Sequence, residues 1–201
     1  MKKFKENIKS LNKGKIDYFI LNSKLEIFQE DINNCVILSG SFNPVHHGHV
    51  RLLDHSSSMY NIDKYYEISI SNVDKPDINE SELLKRIQNF ESEEKIIVSR
   101  SSKFIDKSKI YKNSYFVVGY DTALRILDES YLPPEASLDE LFSVLKKNNC
   151  SFIVAGRIGV SSSNFENLDL EGLKYREFFR VIPENEFRED ISSTEKRRHL
   201  L

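Results

Sequence analysis

Apolar residues recur along this chain in two rhythms. Near the start, Phe4, Ile8 and Leu11 fall three or four apart with lysines between them, which predicts an amphipathic surface helix over 3–12. Short apolar runs then predict strands: 17–21, Val36-Ile37-Leu38, the alternating stretch from Tyr65 to Ser71, Ile96 to Val98, Tyr115 to Val118, Cys150 to Ala155, and Phe178 to Ile182. Helical spacing lies between them. One helix opens near His46 or His47. Ser81 to Phe90 sets Leu83, Leu84, Ile87 and Phe90 on one face, and 121–127 forms another helix. Ser137 and Glu140 have capping-box spacing, and Leu138, Leu141, Phe142 and Leu145 follow as a stripe. Pro133-Pro134 marks a loop, and Ser161 to Asn164 a surface turn.

Strands separated by helices predict an α/β fold, a Rossmann-like parallel sheet with helices on both faces. Such sheets bind ligands at the carboxyl ends of their strands, where the strand order reverses. Gly40 and Gly119 each close a predicted strand, so both belong to that edge.

Composition narrows the class. The 201 residues, 39% hydrophobic and 30% charged, describe one globular domain, and a net charge of −2 argues against general nucleic-acid binding. No apolar run approaches the ~20 residues of a membrane span. The basic start, Met1-Lys2-Lys3-Phe4-Lys5, has no apolar core behind it and is not read as a secretory signal. Cys35 and Cys150 each open an apolar run and are expected to be reduced core residues of a cytoplasmic protein.

The chemistry concentrates in two segments. Gly40-Ser41-Phe42-Asn43-Pro44-Val45-His46-His47-Gly48-His49 follows a buried strand and leads into a helix. Gly40 allows a turn and the approach of an anion to backbone N–H groups. Pro44 disfavours helix at Asn43, so the helix starts near His46 or His47, where its N–H groups suit a phosphate. His46 and His49, three apart, share a face. The same spacing suits a metal pair, but no third ligand stands at a recognisable distance, and no metal ligands are assigned. The second segment, Ile191-Ser192-Ser193-Thr194-Glu195-Lys196-Arg197, is a helix start in which Ser192 and Glu195 have capping-box spacing. Its hydroxyls and the Arg197 guanidinium suit a polyphosphate tail.

These residues resemble the nucleotidylyltransferase superfamily, whose signatures are (H/T)xGH and a C-terminal ISSTxxR; here they are His46 to His49 and Ile191 to Arg197. Phe116 to Arg125, with Gly119-Tyr120-Asp121, resembles the Gly-x-Asp region of nicotinamide mononucleotide adenylyltransferases. Ser71 to Pro76 and Val154 to Arg157 complete a pattern most similar to the branch that includes a fungal filamentation-associated adenylyltransferase. The resemblance covers 35–201, the expected catalytic domain; residues 1–34 would be an extension packed on it.

The resemblance implies adenylyl transfer from ATP to a mononucleotide, forming NAD and releasing pyrophosphate. It implies that His46 and His49 hydrogen-bond the reacting phosphates, with Gly40 and the backbone of Ser41 and Phe42 beside them. Gly119 and Asp121 would contact the ATP nucleoside, and Ser192, Ser193, Thr194 and Arg197 the departing phosphates. Lys75 would meet the mononucleotide, and Mg²⁺ would be held mostly by ATP and water. Family members often stack the pyridine ring on tryptophan; this chain has none, and Phe104 and Tyr120 are the candidate stacking faces. Arg100 and Arg157 are phosphate or rim contacts, or structural ion pairs.

Two other classes stay open: a cytidylyltransferase or other adenylyltransferase with a different phosphorylated acceptor, and a nucleotide-binding module without turnover. The expected partners are ATP and a small phosphorylated acceptor such as nicotinamide or nicotinate mononucleotide, with no nucleic acid and no membrane; a homo-oligomer is left open.

Overall fold

A computed structural model describes residues 1–71, 77–132, 136–158 and 165–188. In chain order the elements are α1 (Lys2–Asn12), β1 (Tyr18–Leu21), β2 (Ile27–Phe28), β3 (Cys35–Ser39), α2 (His47–Ser58), β4 (Asp63–Ser69), α3 (Glu80–Ile87), β5 (Ile96–Ser99), α4 (Phe104–Ile110), β6 (Tyr115–Gly119), α5 (Tyr120–Ile126), α6 (Leu138–Lys147), β7 (Ser151–Ala155), β8 (Arg157–Ile158), β9 (Phe165–Glu166) and β10 (Phe179–Ile182).

Eight strands form one sheet in the order β10-β7-β6-β3-β4-β5-β1-β2. From β10 to β5 every pairing is parallel. The expectation of a parallel sheet needs one correction: β1 pairs antiparallel with β5, and β2 antiparallel with β1. No crossover helix joins β1 to β5, so an edge strand is not forced into the parallel direction. The chain runs β3, β4, β5 to one side, then returns to place β6 on the other side of β3. The strand order therefore reverses between β3 and β6.

Alternating side chains split the interior into two layers. On β3, Val36 and Leu38 join Phe4, Ile8 and Leu11 of α1, Leu53 of α2, and Leu83 and Ile87 of α3. Cys35 and Ile37 face the other way, with Ala123 and Ile126 of α5 and Leu141, Phe142 and Leu145 of α6. The strands are apolar on both faces because both are covered. Ser137 caps α6 as its spacing predicts, accepting from the Glu140 N–H at 3.1 Å. Residues 1–34 contribute α1 to one layer and β1 and β2 to the sheet edge.

The second layer holds a charged pair. Glu67 of β4 is fully buried, accepts from Ser99 Oγ, and forms an ion pair with Lys107 of α4, itself only 3% exposed. Cys35 and Cys150 are buried free thiols, and burial pushes both above the usual thiol range, Cys35 to about 12. Among the described residues no helix is long and apolar enough to cross a membrane.

Candidate active site

The carboxyl ends of β3 and β6 lie side by side, with Ile37 opposite Phe116 and Leu38 opposite Val117. Residues 40–46 leave β3 and lead to α2; β6 runs directly into α5. The histidine segment and the Gly119 segment thus flank the reversal point, as ligand sites of open α/β sheets do.

The loop after β3 is built around Phe42. Its φ is 43°, and its ring turns beneath the loop, only 1% exposed. The ring meets His49, Tyr66 and Phe90 edge-on at centroid distances of 5.1, 5.4 and 5.3 Å. Gly40 makes room for it: a Cβ there would stand 2.9 to 3.2 Å from three ring atoms. The glycine expected for anion approach is also required by packing. Asn43–Pro44 is cis, the Gly40 N–H donates to the Glu67 carbonyl at 3.0 Å, and the Ser41 side chain is left at the surface.

His46 is the N-cap of α2 in extended conformation, and the helix starts at His47, within the expected range. The rings of His46 and His49 stack at 3.7 Å with planes 25° apart. The His46 backbone N–H donates to His49 Nδ1 at 3.3 Å. Neutral His49 therefore carries its proton on Nε2, which is then a hydrogen-bond donor. The first turns of α3, α4, α5 and α6 each hold an acidic residue, whereas that of α2 holds none. The helix start carries a partial positive charge from its own N–H groups.

Across the reversal point, Gly119 caps α5, and a Cβ there would meet nothing within 4 Å. Asp121 stands in the first turn, exposed. Arg157 pairs with it at 2.9 Å and with Glu166 of β9 at 3.3 Å, its guanidinium 5.9 Å from the centre of the Tyr120 ring. Arg157 is thus an ion-pair residue beside the Asp121 carboxylate. Gly156 lets it get there, since a Cβ at that position would lie 2.3 Å from Phe165.

The profile of the cytidylyltransferase-like family matches residues 37–199, spanning both motif segments. The chain belongs to that family. No curated protein sequence matches it. Among solved structures, the nicotinic acid mononucleotide adenylyltransferase of Plasmodium falciparum, complexed with NaAD, is similar in fold, with a TM-score of 0.50 and 23% identity over 84% of each chain.

On this family fold a cavity of about 450 Å³ opens between α4, α5 and α6 at the carboxyl edge of the sheet. Phe104, Thr122, Arg125 and Tyr131 are among its lining residues. Phe104, a candidate stacking face, packs on Phe116 and Phe152 at 5.4 and 5.1 Å while also lining the cavity. Tyr120, the other candidate, is not among the lining residues and lies under Arg157. Sequence reasoning missed Tyr131, which is 51% exposed with the Arg125 guanidinium 5.7 Å from its ring centre. The available signal was an aromatic residue ten positions after Asp121.

Arg100 donates to Asn12 of α1 at 2.9 Å and pairs with Asp77 at 3.4 Å, a structural ion pair. Lys75, Ser192, Ser193, Thr194 and Arg197 lie outside the described residues. The chain leading to the last four is described: Phe187 is buried, within 6.1 Å of the His55 ring and 5.9 Å of the Arg51 guanidinium, both on α2.

Proposed function

We propose that this protein transfers an adenylyl group from ATP to the phosphate of a mononucleotide, most economically nicotinate or nicotinamide mononucleotide. An acceptor phosphate oxygen attacks the α-phosphorus, the bond from that phosphorus to the bridging oxygen breaks, and pyrophosphate leaves. No side-chain nucleophile takes part; the protein aligns the two phosphates and neutralises charge that builds on their oxygens.

The observation carrying this reading is the stacked His46–His49 pair at the start of α2, beside the reversal point of the sheet. The His49 Nε2–H would donate to an oxygen that gains charge in the transition state. Asp121, across the gap, would receive ribose hydroxyls in competition with Arg157. Ser192, Ser193, Thr194 and Arg197 would hold the β- and γ-phosphates. Mg²⁺ would enter with ATP as part of the substrate and offset phosphate charge.

The acceptor assignment rests on the cavity. Its volume is within the range for small-molecule sites, and Phe104 and Tyr131 offer flat apolar faces suited to a pyridine ring. A phosphorylated alcohol, the acceptor of the cytidylyl alternative, would have little use for them. Purified protein with Mg²⁺ and either ATP or CTP, screened against phosphorylated acceptors for pyrophosphate release, tests this. ATP with nicotinate or nicotinamide mononucleotide should give the dinucleotide; release with CTP alone would establish the alternative.

A further inference from the structure

The loop that would hold the reacting phosphates is gripped from outside by one cation. Arg86, on α3, donates from Nη1 to the Ser41 carbonyl at 3.1 Å, across 45 positions of sequence. Its Nε donates to Glu82 Oε1 at 2.9 Å, one turn back on the same helix. Glu82 Oε1 also receives Asn43 Nδ2 at 3.5 Å, and the Glu82 N–H is held by the N-cap Asn79. Arg86 and Glu82 therefore touch the loop on both sides of Phe42. Below them Leu83 and Ile87 anchor α3 in the core, and Phe90, just beyond it, braces the Phe42 ring.

We infer that Arg86 is a positioning residue for nucleotidyl transfer, acting through the Ser41 carbonyl. The inference rests on the transfer reading above. A trans peptide is planar, with its C=O and N–H pointing in opposite directions. Of the described peptide bonds only Asn43–Pro44 is cis. Fixing the Ser41 carbonyl toward Arg86 therefore fixes the Phe42 N–H away from α3. Phe42 has a φ of 43°, and a residue of positive φ is one half of the two-residue conformation that turns successive N–H groups toward an anion. The grip sets the aim of a backbone donor while the Phe42 ring sets its height.

Charge attraction is a poor account of Arg86. Glu82 lies within ion-pair distance, so the charge of the guanidinium is largely offset before it reaches a phosphate. What lysine or methionine cannot reproduce is the planar fork that holds a carboxylate and a carbonyl at once. The side chain is only 14% exposed, so its geometry is constrained.

The test is Arg86→Met with Arg86→Lys beside it, each assayed for kcat, for KM of both substrates and for thermal unfolding. A loosened loop misplaces a donor by a fraction of an ångström, so Arg86→Met should lower kcat about ten- to a hundredfold with KM for ATP within about threefold. Arg86→Lys should fall between it and the parent, and carries the test if the methionine variant does not fold. Either of two results overturns the inference: turnover within twofold of the parent, or a KM rise with kcat preserved, which would mean direct substrate contact. A parent inactive with every nucleotide and acceptor removes the transfer reading and this inference with it; an active parent matched by Arg86→Met removes the inference alone.

Discussion

Gly40→Ala tests whether the phosphate loop is built over the Phe42 ring. The backbone at Gly40 is not left-handed, so alanine brings no conformational strain and its effect is steric. The new methyl would lie 2.9, 3.0 and 3.2 Å from three carbons of the Phe42 ring, against an ordinary contact of about 3.5–4.0 Å. The ring must yield by several tenths of an ångström, yet it is 1% exposed and bounded by Tyr66, Phe90 and His49. Overpacking of this kind costs about 1–3 kcal/mol. In a chain of this length that lowers Tm by a few to about 10 °C. His49 is one of the walls, so turnover should fall at least about tenfold at temperatures where the variant is folded. Phe42→Leu shortens the ring that is struck, so the double variant should be more stable than the sum of the single effects by about 1 kcal/mol or more. The assay is thermal unfolding plus pyrophosphate release on all four proteins. A Gly40→Ala variant with parental Tm and turnover, or strictly additive effects, would refute the reasoning.

Other predictions follow from separate parts of the molecule. Lys107→Met strands the fully buried Glu67 carboxylate and should destabilise by about 3–5 kcal/mol, with much of that recovered when Glu67→Leu is added, as read by denaturant unfolding; equal losses in the single and double variants would contradict it. Cys35 titrates at about 12 when folded against about 9 ordinarily, so between those values the unfolded chain binds fewer protons and stability falls as pH rises, by up to about 1.4 kcal/mol per pH unit for this group. Tyr65, Tyr66 and Tyr111, also raised by burial, add in the same direction above pH 10, and unfolding midpoints should show the decline. Arg197→Ala should weaken ATP binding about tenfold or more through lost charge-assisted bonds, with the acceptor KM unchanged; a shift confined to the acceptor would mean the late segment does not hold the triphosphate tail.

The strands and longer helices were legible because both faces of this sheet are covered: runs such as Val36-Ile37-Leu38 and Phe152-Ile153-Val154 can be little else when helical patterns separate them. What escaped was short or polar. β2 has two residues, β8 and β9 two each, and α4 has seven, with a lysine whose partner, Glu67, is 40 positions away. The histidine segment could be read from local chemistry because a glycine, a proline and two spaced imidazoles fix a turn and a helix start. The role of Phe42 could not, since a left-handed phenylalanine under its own loop depends on Tyr66 and Phe90. Arg86 was invisible for the same reason: an arginine one turn after a glutamate reads as a surface ion pair, and only the fold brings Ser41 to it. Asp121 showed its carboxylate in the sequence but not its pairing with Arg157.

His49→Ala, measured in single-turnover pyrophosphate release alongside equilibrium ATP binding, bears most directly on the central claim that this imidazole stabilises charge on the transferring phosphate. Loss of a preorganised donor of this kind costs a few kcal/mol of transition-state stabilisation, so the rate should drop about a hundredfold or more while ATP affinity and Tm stay close to the parent's. A folded variant that turns over at the parental rate would contradict the account.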